Sequence, residues 1–150
     1  MKTEIMTLNA KDLTKEYPRS PRETLAGYVI AARMLDKCRA AISGTLGEYH
    51  FDCPLDRYFL QFAGIDAGSF RSFVETGADD DAVATWITEQ AALRPRIEII
   101  KWNNEMRETC LGDMPEEVQV FLEDYIPKCL PKGRVVYRWF DVYDIEEKRL

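Results

Sequence analysis

The sequence has one histidine, no Cys-x-x-Cys pair and no apolar run near the roughly 20 residues that cross a bilayer. A single histidine excludes a His-Glu-x-x-His metal helix, and no glycine-rich loop ending in Lys-Ser/Thr follows a strand to hold a phosphate. The stretch from Met1 to Ala10 lacks the apolar segment of a secretory signal. We therefore expect a cytoplasmic protein without a membrane partner, whose four widely spaced cysteines are free thiols.

Positively charged residues are outnumbered by negatively charged ones: the chain has 20 Lys/Arg and 26 Asp/Glu, which gives a net charge of −6. This balance argues against nucleic acid as a partner. The hydrophobic share of 46% and the charged share of 31% are those of an ordinary globular protein. At 150 residues we expect one helical domain over 1–150, with an irregular N-terminal segment over 1–19 because Pro18 and Pro21 interrupt any helix there.

Apolar residues recur at spacings of three and four along most of the chain, which predicts amphipathic helices. The fold class is therefore all-α, a single compact array of about five to six helices. Helix starts are predicted at Ser20-Pro21 (with a longer helix from about Ile30), Pro54, Asp66, Asp79–Asp81, Pro95 and Pro115. Segment 134–143 is rich in β-branched and aromatic residues but also fits helical spacing. We expect a short helix or turn there, with a short β or extended piece near the C-terminus as the alternative.

One segment combines residue types that can carry nucleophilic chemistry. It holds the only histidine, His50, and a cysteine three residues later, Cys53, at the predicted start of a helix. A helix N-terminus favours the thiolate form of a cysteine. Cys53 could then act as a catalytic nucleophile, with His50 as its base and Asp56 or Asp52 orienting the imidazole. The alternatives are a structural cysteine and a metal site made by His50, Cys53 and remote ligands; no cofactor is expected.

A second candidate site is basic. Arg19 and Arg22 flank the predicted helix start at Ser20-Pro21, and Arg33 follows on the helix. Guanidinium groups beside a helix N-terminus suit a small anionic ligand or an acidic protein partner. The alternative is that these arginines pair with the acidic residues of the same chain.

Several short motifs resemble a bacterial family of unknown function, DUF5069, over residues from Asp12 to about Asp144. The motifs are Pro18-Arg19-Ser20-Pro21-Arg22, Arg33-Met34-Leu35-Asp36-Lys37, Gly47-Glu48-Tyr49-His50, Cys53-Pro54-Leu55-Asp56 and Trp139-Phe140-Asp141. The resemblance implies a bacterial cytoplasmic origin and carries no known activity or site residues. The sequence alone favours a non-catalytic binding or adaptor protein first, a small Cys53 enzyme second, and a His50/Cys53 metalloprotein third.

Overall fold

A computed structural model of the chain describes residues 10–150, which form two compact units that meet in sequence between Pro95 and Arg96. The first unit contains β1 Thr24–Leu25, β2 Tyr28–Val29, α1 Ala31–Ser43, α2 Pro54–Ala63, α3 Ala67–Val74 and α4 Asp80–Gln90. The second contains α5 Arg96–Glu108, a 3-10 turn Leu111–Asp113, α6 Glu116–Cys129 and α7 Trp139–Glu146. The mostly helical class is confirmed. The described residues hold seven helices rather than five to six, and also a small antiparallel sheet that was not expected.

The first predicted helix start, at Ser20-Pro21, is wrong. Ser20 and Glu23 form a tight turn, in which the Glu23 N–H donates to the Ser20 carbonyl at 3.0 Å. The chain then makes a two-residue β-hairpin, and Ala26 and Gly27 have the positive φ angles that reverse its direction. The capping-box residues thus shape a turn instead of a helix end. The expected longer helix from about Ile30 is confirmed, since α1 begins at the next residue.

Helix α1 is the centre of the first unit. Every residue from Ala31 to Ala40 is buried, and the helix contacts β1, α2 and α3. Aromatic side chains fill the remaining core: Tyr28 packs edge-on against Phe59 with ring centroids 5.3 Å apart, and Phe70 packs against Trp86 at 5.9 Å. A helix buried on all sides has no solvated face, so its polar residues need partners within the protein.

The helix starts that the sequence predicts at Pro54, Asp66 and Asp79–Asp81 are confirmed. Cys53 is the N-cap residue of α2, with Pro54 at the first helical position. The Asp66 carboxylate accepts the Ser69 N–H at 2.9 Å at the start of α3. At the start of α4 the Asp79 carboxylate accepts the Ala82 N–H at 2.8 Å. These caps mark where each helix begins, and the first of them places Cys53 at the N-terminus of α2.

The second unit contains segment 134–143, whose sequence pattern fits both a strand and a helix. Arg138 forms an isolated antiparallel bridge with Cys110, and α7 begins immediately afterwards at Trp139. Trp139 and Phe140 are 4% and 0% exposed, so they belong to the core of this unit. The expected helix is therefore present from Trp139, and the extended piece is limited to the residues just before it. Helix α6 continues through Pro127 to Cys129, although a proline inside a helix usually interrupts it.

Among the described residues no helix combines the length and the apolar character that spanning a bilayer requires. Residues 10–19 contain turns but no helix or strand, as expected, and the remainder of the predicted irregular segment, residues 1–9, lies outside the described residues.

Gly44 ends α1 in the left-handed conformation, with φ of 73°. Replacing Gly44 by Ala is expected to lower the free energy of unfolding by about 1–2 kcal/mol, because a Cβ is disfavoured in that conformation. Thermal or urea unfolding measures the change. Gly112→Ala is the control, since Gly112 has no positive φ and no atom within 4 Å of the added Cβ. Equal losses in the two variants would contradict the left-handed cap.

Candidate functional site

Four charged side chains lie buried along α1. Arg33, Asp36, Lys37 and Arg39 have relative exposures of 2%, 4%, 3% and 7%. A buried charge is costly unless an opposite charge and hydrogen bonds compensate it. The described structure supplies compensating groups from residues 11–20, from the start of α2 and from the start of α4. Helix α1 therefore positions every candidate site described below.

The first site lies where α1 meets the start of α2. The Lys37 ammonium group donates a hydrogen bond to Cys53 Sγ, with Nζ and Sγ 3.0 Å apart. The same Nζ lies 2.9 Å from Asp56 Oδ1, in an ion pair whose side chains are 3% and 0% exposed. Asp56 Oδ2 accepts the backbone N–H groups of Asp52 at 2.9 Å and Cys53 at 3.4 Å. One buried ammonium group thus contacts both a sulfur and a carboxylate at a helix N-terminus.

The sulfur of Cys53 has two positively polarised neighbours, the Lys37 ammonium group and the N-terminus of α2. A neighbouring ammonium group and a helix N-terminus each stabilise a thiolate relative to a thiol. Cys53 also takes part in a capping box, in which its side chain faces the backbone N–H of Asp56. Cys53 as a residue is only half-buried. The chemistry that the site can support is nucleophilic attack by sulfur.

His50 lies on the loop between α1 and α2, and its side chain is exposed. Within residues 10–150 no hydrogen bond joins its imidazole to Cys53 or Asp56. The polar partner that the structure gives to Cys53 is Lys37, and Asp52 pairs with Arg57 at 3.2 Å. The role of His50 as a general base stays a prediction.

The three arginines of the predicted basic site lie in different environments. The Arg19 guanidinium binds both oxygens of Asp36, at 3.2 and 3.0 Å. Arg33 is buried, donates to the Arg19 carbonyl at 3.3 Å and lies over the Tyr49 ring at 5.5 Å. Arg22 is half-buried in the turn at Ser20. The alternative raised by the sequence, pairing with acidic residues of the same chain, is what Arg19 shows.

Asp80, the first residue of α4, connects Arg19 to Arg39 of α1. Its Oδ2 lies 2.9 Å from Arg19 Nη1, and its Oδ1 lies 2.8 Å from Arg39 Nη1. Burial alone would raise the pKa of Asp80, but the hydrogen bonds from Arg39 and Arg19 outweigh it and hold the pKa below the usual value. The start of α4 is therefore held against α1 by ionic hydrogen bonds.

The four cysteines differ in environment, and all are free thiols, as expected. Cys38 is 0% exposed, and burial raises the pKa of its thiol to about 12, which keeps it protonated and inert. Cys110 and Cys129 are exposed. Over the described part of the chain no group of three His, Cys, Asp or Glu side chains could hold a metal ion. In these residues the metal hypothesis for His50 and Cys53 therefore lacks a third ligand.

Residues 15–149 match a family model described as "Domain of unknown function (DUF5069)". The chain belongs to the DUF5069 family. The resemblance carried by the sequence motifs is thereby confirmed. No curated protein matches the chain. Because the DUF5069 description assigns no activity, the function has to be argued from the geometry of the site.

Sequence reasoning missed Lys37 as the partner of Cys53, and it missed Asp36, Arg39 and Asp80 as partners of the arginines. On a helical projection the charged residues of α1 lie mostly on one side, which is the usual sign of a solvated face. The sequence contains no signal that residues 11–20 and the starts of α2 and α4 cover that side.

Replacing Lys37 by Met is expected to lower the free energy of unfolding by about 3–5 kcal/mol, because it leaves the buried Asp56 carboxylate without a counter-charge. Urea unfolding measures the change. The control is Lys15→Met, at a lysine whose side chain is 82% exposed and whose ion pair with Asp12 is 3.9 Å long. Its effect is expected to stay below about 1 kcal/mol. Similar effects of the two substitutions would contradict a buried ion pair at Lys37.

The Asp80 pairs predict a defined pH dependence. The folded-state pKa of Asp80 is lowered from 3.8, so its stabilisation is present at neutral pH and is lost as the pH falls below 3.8 through the folded-state value. The difference in melting temperature between the wild type and Asp80→Asn should shrink between about pH 7 and about pH 3. Asp81→Asn, at the exposed next position, is the control and should show a much smaller difference. A constant difference for Asp80→Asn would exclude the ionic contribution.

Proposed function

We propose that the protein is a small enzyme in which Cys53 is the nucleophile and Lys37 favours its thiolate form. The observation that carries this proposal is the 3.0 Å contact between Lys37 Nζ and Cys53 Sγ at the N-terminus of α2. The thiolate is the attacking form of a cysteine, and both neighbours favour it. Asp56 is a positioning residue, since it holds the ammonium group beside the sulfur and also binds the backbone of Asp52 and Cys53.

The reaction class that fits best is acyl transfer to water. Cys53 Sγ forms a bond to the carbonyl carbon of an activated ester or thioester, and the bond from that carbon to the leaving group breaks. The leaving group departs with the electron pair of that bond and takes a proton from water. The hydroxide that this proton transfer leaves attacks the acyl-cysteine, and the carbon–sulfur bond breaks to release the carboxylic acid and the starting thiolate.

Dithiol redox chemistry fits less well, because it requires a second reactive thiol beside Cys53. The other cysteine of the first unit is Cys38, on α1. Its thiol is fully buried, and burial raises its pKa to about 12, so it is a poor partner for thiol exchange. A single-cysteine mechanism therefore agrees better with the environments of these two residues.

The first test is alkylation by iodoacetamide at neutral pH, with each cysteine followed by mass spectrometry. Cys53 is expected to react faster than the exposed Cys110 and Cys129, because its sulfur has the ammonium neighbour. Lys37→Met should slow Cys53 by about tenfold or more, whereas His50→Ala should change the rate less than about twofold. Cys38 should stay unmodified in every folded variant, so it reports whether Lys37→Met still folds.

The second test uses p-nitrophenyl acetate as an acyl donor. The wild type should release one equivalent of p-nitrophenol in a burst and carry an acetyl group on Cys53, and Cys53→Ser should lose the burst. If Cys53 reacts more slowly than the exposed thiols and forms no acetyl adduct, the enzyme proposal is rejected. If His50→Ala removes the reactivity and Lys37→Met does not, His50 is the activating group and Lys37 is structural.

A further inference from the structure

The side-chain nitrogen of Lys37 and the sulfur of Cys53 are close enough for a bond to form between them. Nζ and Sγ are 3.0 Å apart, and reacting atoms held about 3–3.5 Å apart are already in a near-attack arrangement. Lys37 is 3% exposed, and its ion pair with Asp56 restricts Nζ further. This nitrogen is therefore positioned to attack any electrophilic form of the Cys53 sulfur.

An oxidised cysteine has such an electrophilic sulfur. A hydroperoxide converts a thiolate to a sulfenic acid, which condenses with a thiol or a nitrogen, or is oxidised irreversibly to a sulfinic acid. The backbone nitrogen of the next residue is closed to this condensation, because that residue is Pro54 and has no N–H. The backbone N–H of Asp56 also faces the Cys53 side chain, but an amide nitrogen shares its lone pair with the carbonyl and is a weak nucleophile.

A thiol partner for the oxidised sulfur is also unfavourable. The other cysteine of the first unit, Cys38, is 0% exposed, and burial raises the pKa of its thiol to about 12. A thiol that stays protonated is a poor nucleophile toward a sulfenic acid. The geometry therefore favours Lys37 as the group that reacts with an oxidised Cys53.

We infer that Lys37 and Cys53 form a reversible nitrogen–sulfur crosslink after oxidation by a hydroperoxide. Sγ attacks one oxygen of hydrogen peroxide and loses two electrons to it; the O–O bond breaks, and the hydroxide that leaves is protonated by solvent. Nζ then attacks the sulfur as the S–O bond breaks, and it gives one proton to the departing hydroxide and one to Asp56. The ammonium and carboxylate charges disappear together, so no unpaired charge is left between side chains that are 3% and 0% exposed.

The crosslink regulates the thiol site. It removes both the sulfur nucleophile and the ammonium group, so the oxidised protein cannot carry out acyl transfer, and it shields the sulfur from irreversible oxidation. A small thiol restores the site: it attacks the sulfur, the S–N bond breaks to release the Lys37 amine, and a second thiol reduces the mixed disulfide. This regulation rests on the same Lys37–Cys53 contact as the proposed function, but it does not require the acyl reaction.

The experiment treats the full chain with hydrogen peroxide, unfolds it without reductant, alkylates the remaining thiols and identifies the tryptic peptides by mass spectrometry. The expected product joins residues 34–39 to residues 40–57, with trypsin unable to cleave after Lys37 and with Cys38 alkylated. Its mass is about 2 Da below the sum of the two separate peptides, and dithiothreitol should release them. A disulfide between Cys38 and Cys53 differs, because it leaves Lys37 open to trypsin and Cys38 closed to alkylation.

Two substitutions separate the crosslink from its alternatives. Cys38→Ala should keep the link, since the Cys38 thiol takes no part in it. Lys37→Arg keeps the positive charge but replaces the amine by a guanidinium group that stays protonated, so it should lose the link. Its Cys53 should accumulate sulfinic acid at least about tenfold above the wild type. Protection of Cys38 from alkylation before unfolding verifies that Lys37→Arg folds, and the wild type and Cys38→Ala decide the question if it does not.

Three results would overturn the inference: no oxidation of Cys53 in the folded chain, oxidation without a link to Lys37, or a link that Cys38→Ala removes. The reaction of the unoxidised protein with p-nitrophenyl acetate tests the proposed function separately. A crosslink without an acetyl burst retains this inference and rejects the acyl enzyme. A burst without a crosslink does the reverse.

Discussion

The first unit depends on compensating the charges of helix α1, which is buried from Ala31 to Ala40. Helix α1 carries Arg33, Asp36, Lys37 and Arg39 into an environment where an isolated charge costs several kcal/mol. The ion pairs to Arg19, Asp56 and Asp80 satisfy most of this requirement, and each comes from a different segment of the chain. These pairs hold residues 11–20 and the first turns of α2 and α4 in fixed positions against α1. Apolar packing alone would not specify those positions so closely, because it is not directional.

The same constraint places the thiol site on α1. Consecutive residues of this helix point to different neighbours, so Asp36 pairs with Arg19 while Lys37 contacts Cys53. A buried ion pair is weak support for stability when compared with apolar residues of the same volume, and in some proteins it is retained for specificity or function. The thiol site uses such a pair, between Lys37 and Asp56. We regard this as the reason why a helix with so many charged residues lies at the centre of a small unit.

The sequence predicted the fold class, the start of α1 near Ile30 and the caps at Cys53, Asp66 and Asp79, because these features depend on local pattern and local hydrogen bonds. It failed at Ser20, where the same capping signature forms a turn followed by a hairpin. It found Cys53 from the helix N-terminus, but it could not find Lys37, which lies 16 residues earlier in the chain. Contacts between segments depend on how the helices pack, and a one-sided distribution of charges looks the same whether water or protein covers it.

The number of acceptors around Lys37 bears on whether the thiol site is only structural. A buried ammonium group has three N–H donors, and each needs an acceptor. Asp56 provides an ion-pair partner at 2.9 Å, and the hydrogen bond that the structure gives to this ammonium group goes to the sulfur of Cys53 at 3.0 Å. A neutral thiol is a weak acceptor, whereas a thiolate is a strong one. The enzyme proposal accounts for this contact, because it places a thiolate next to a lysine that is 3% exposed. One ammonium group contacts both the Asp56 carboxylate and the Cys53 sulfur, so its loss should affect the stability of the unit and, if the enzyme proposal holds, the alkylation of Cys53 as well.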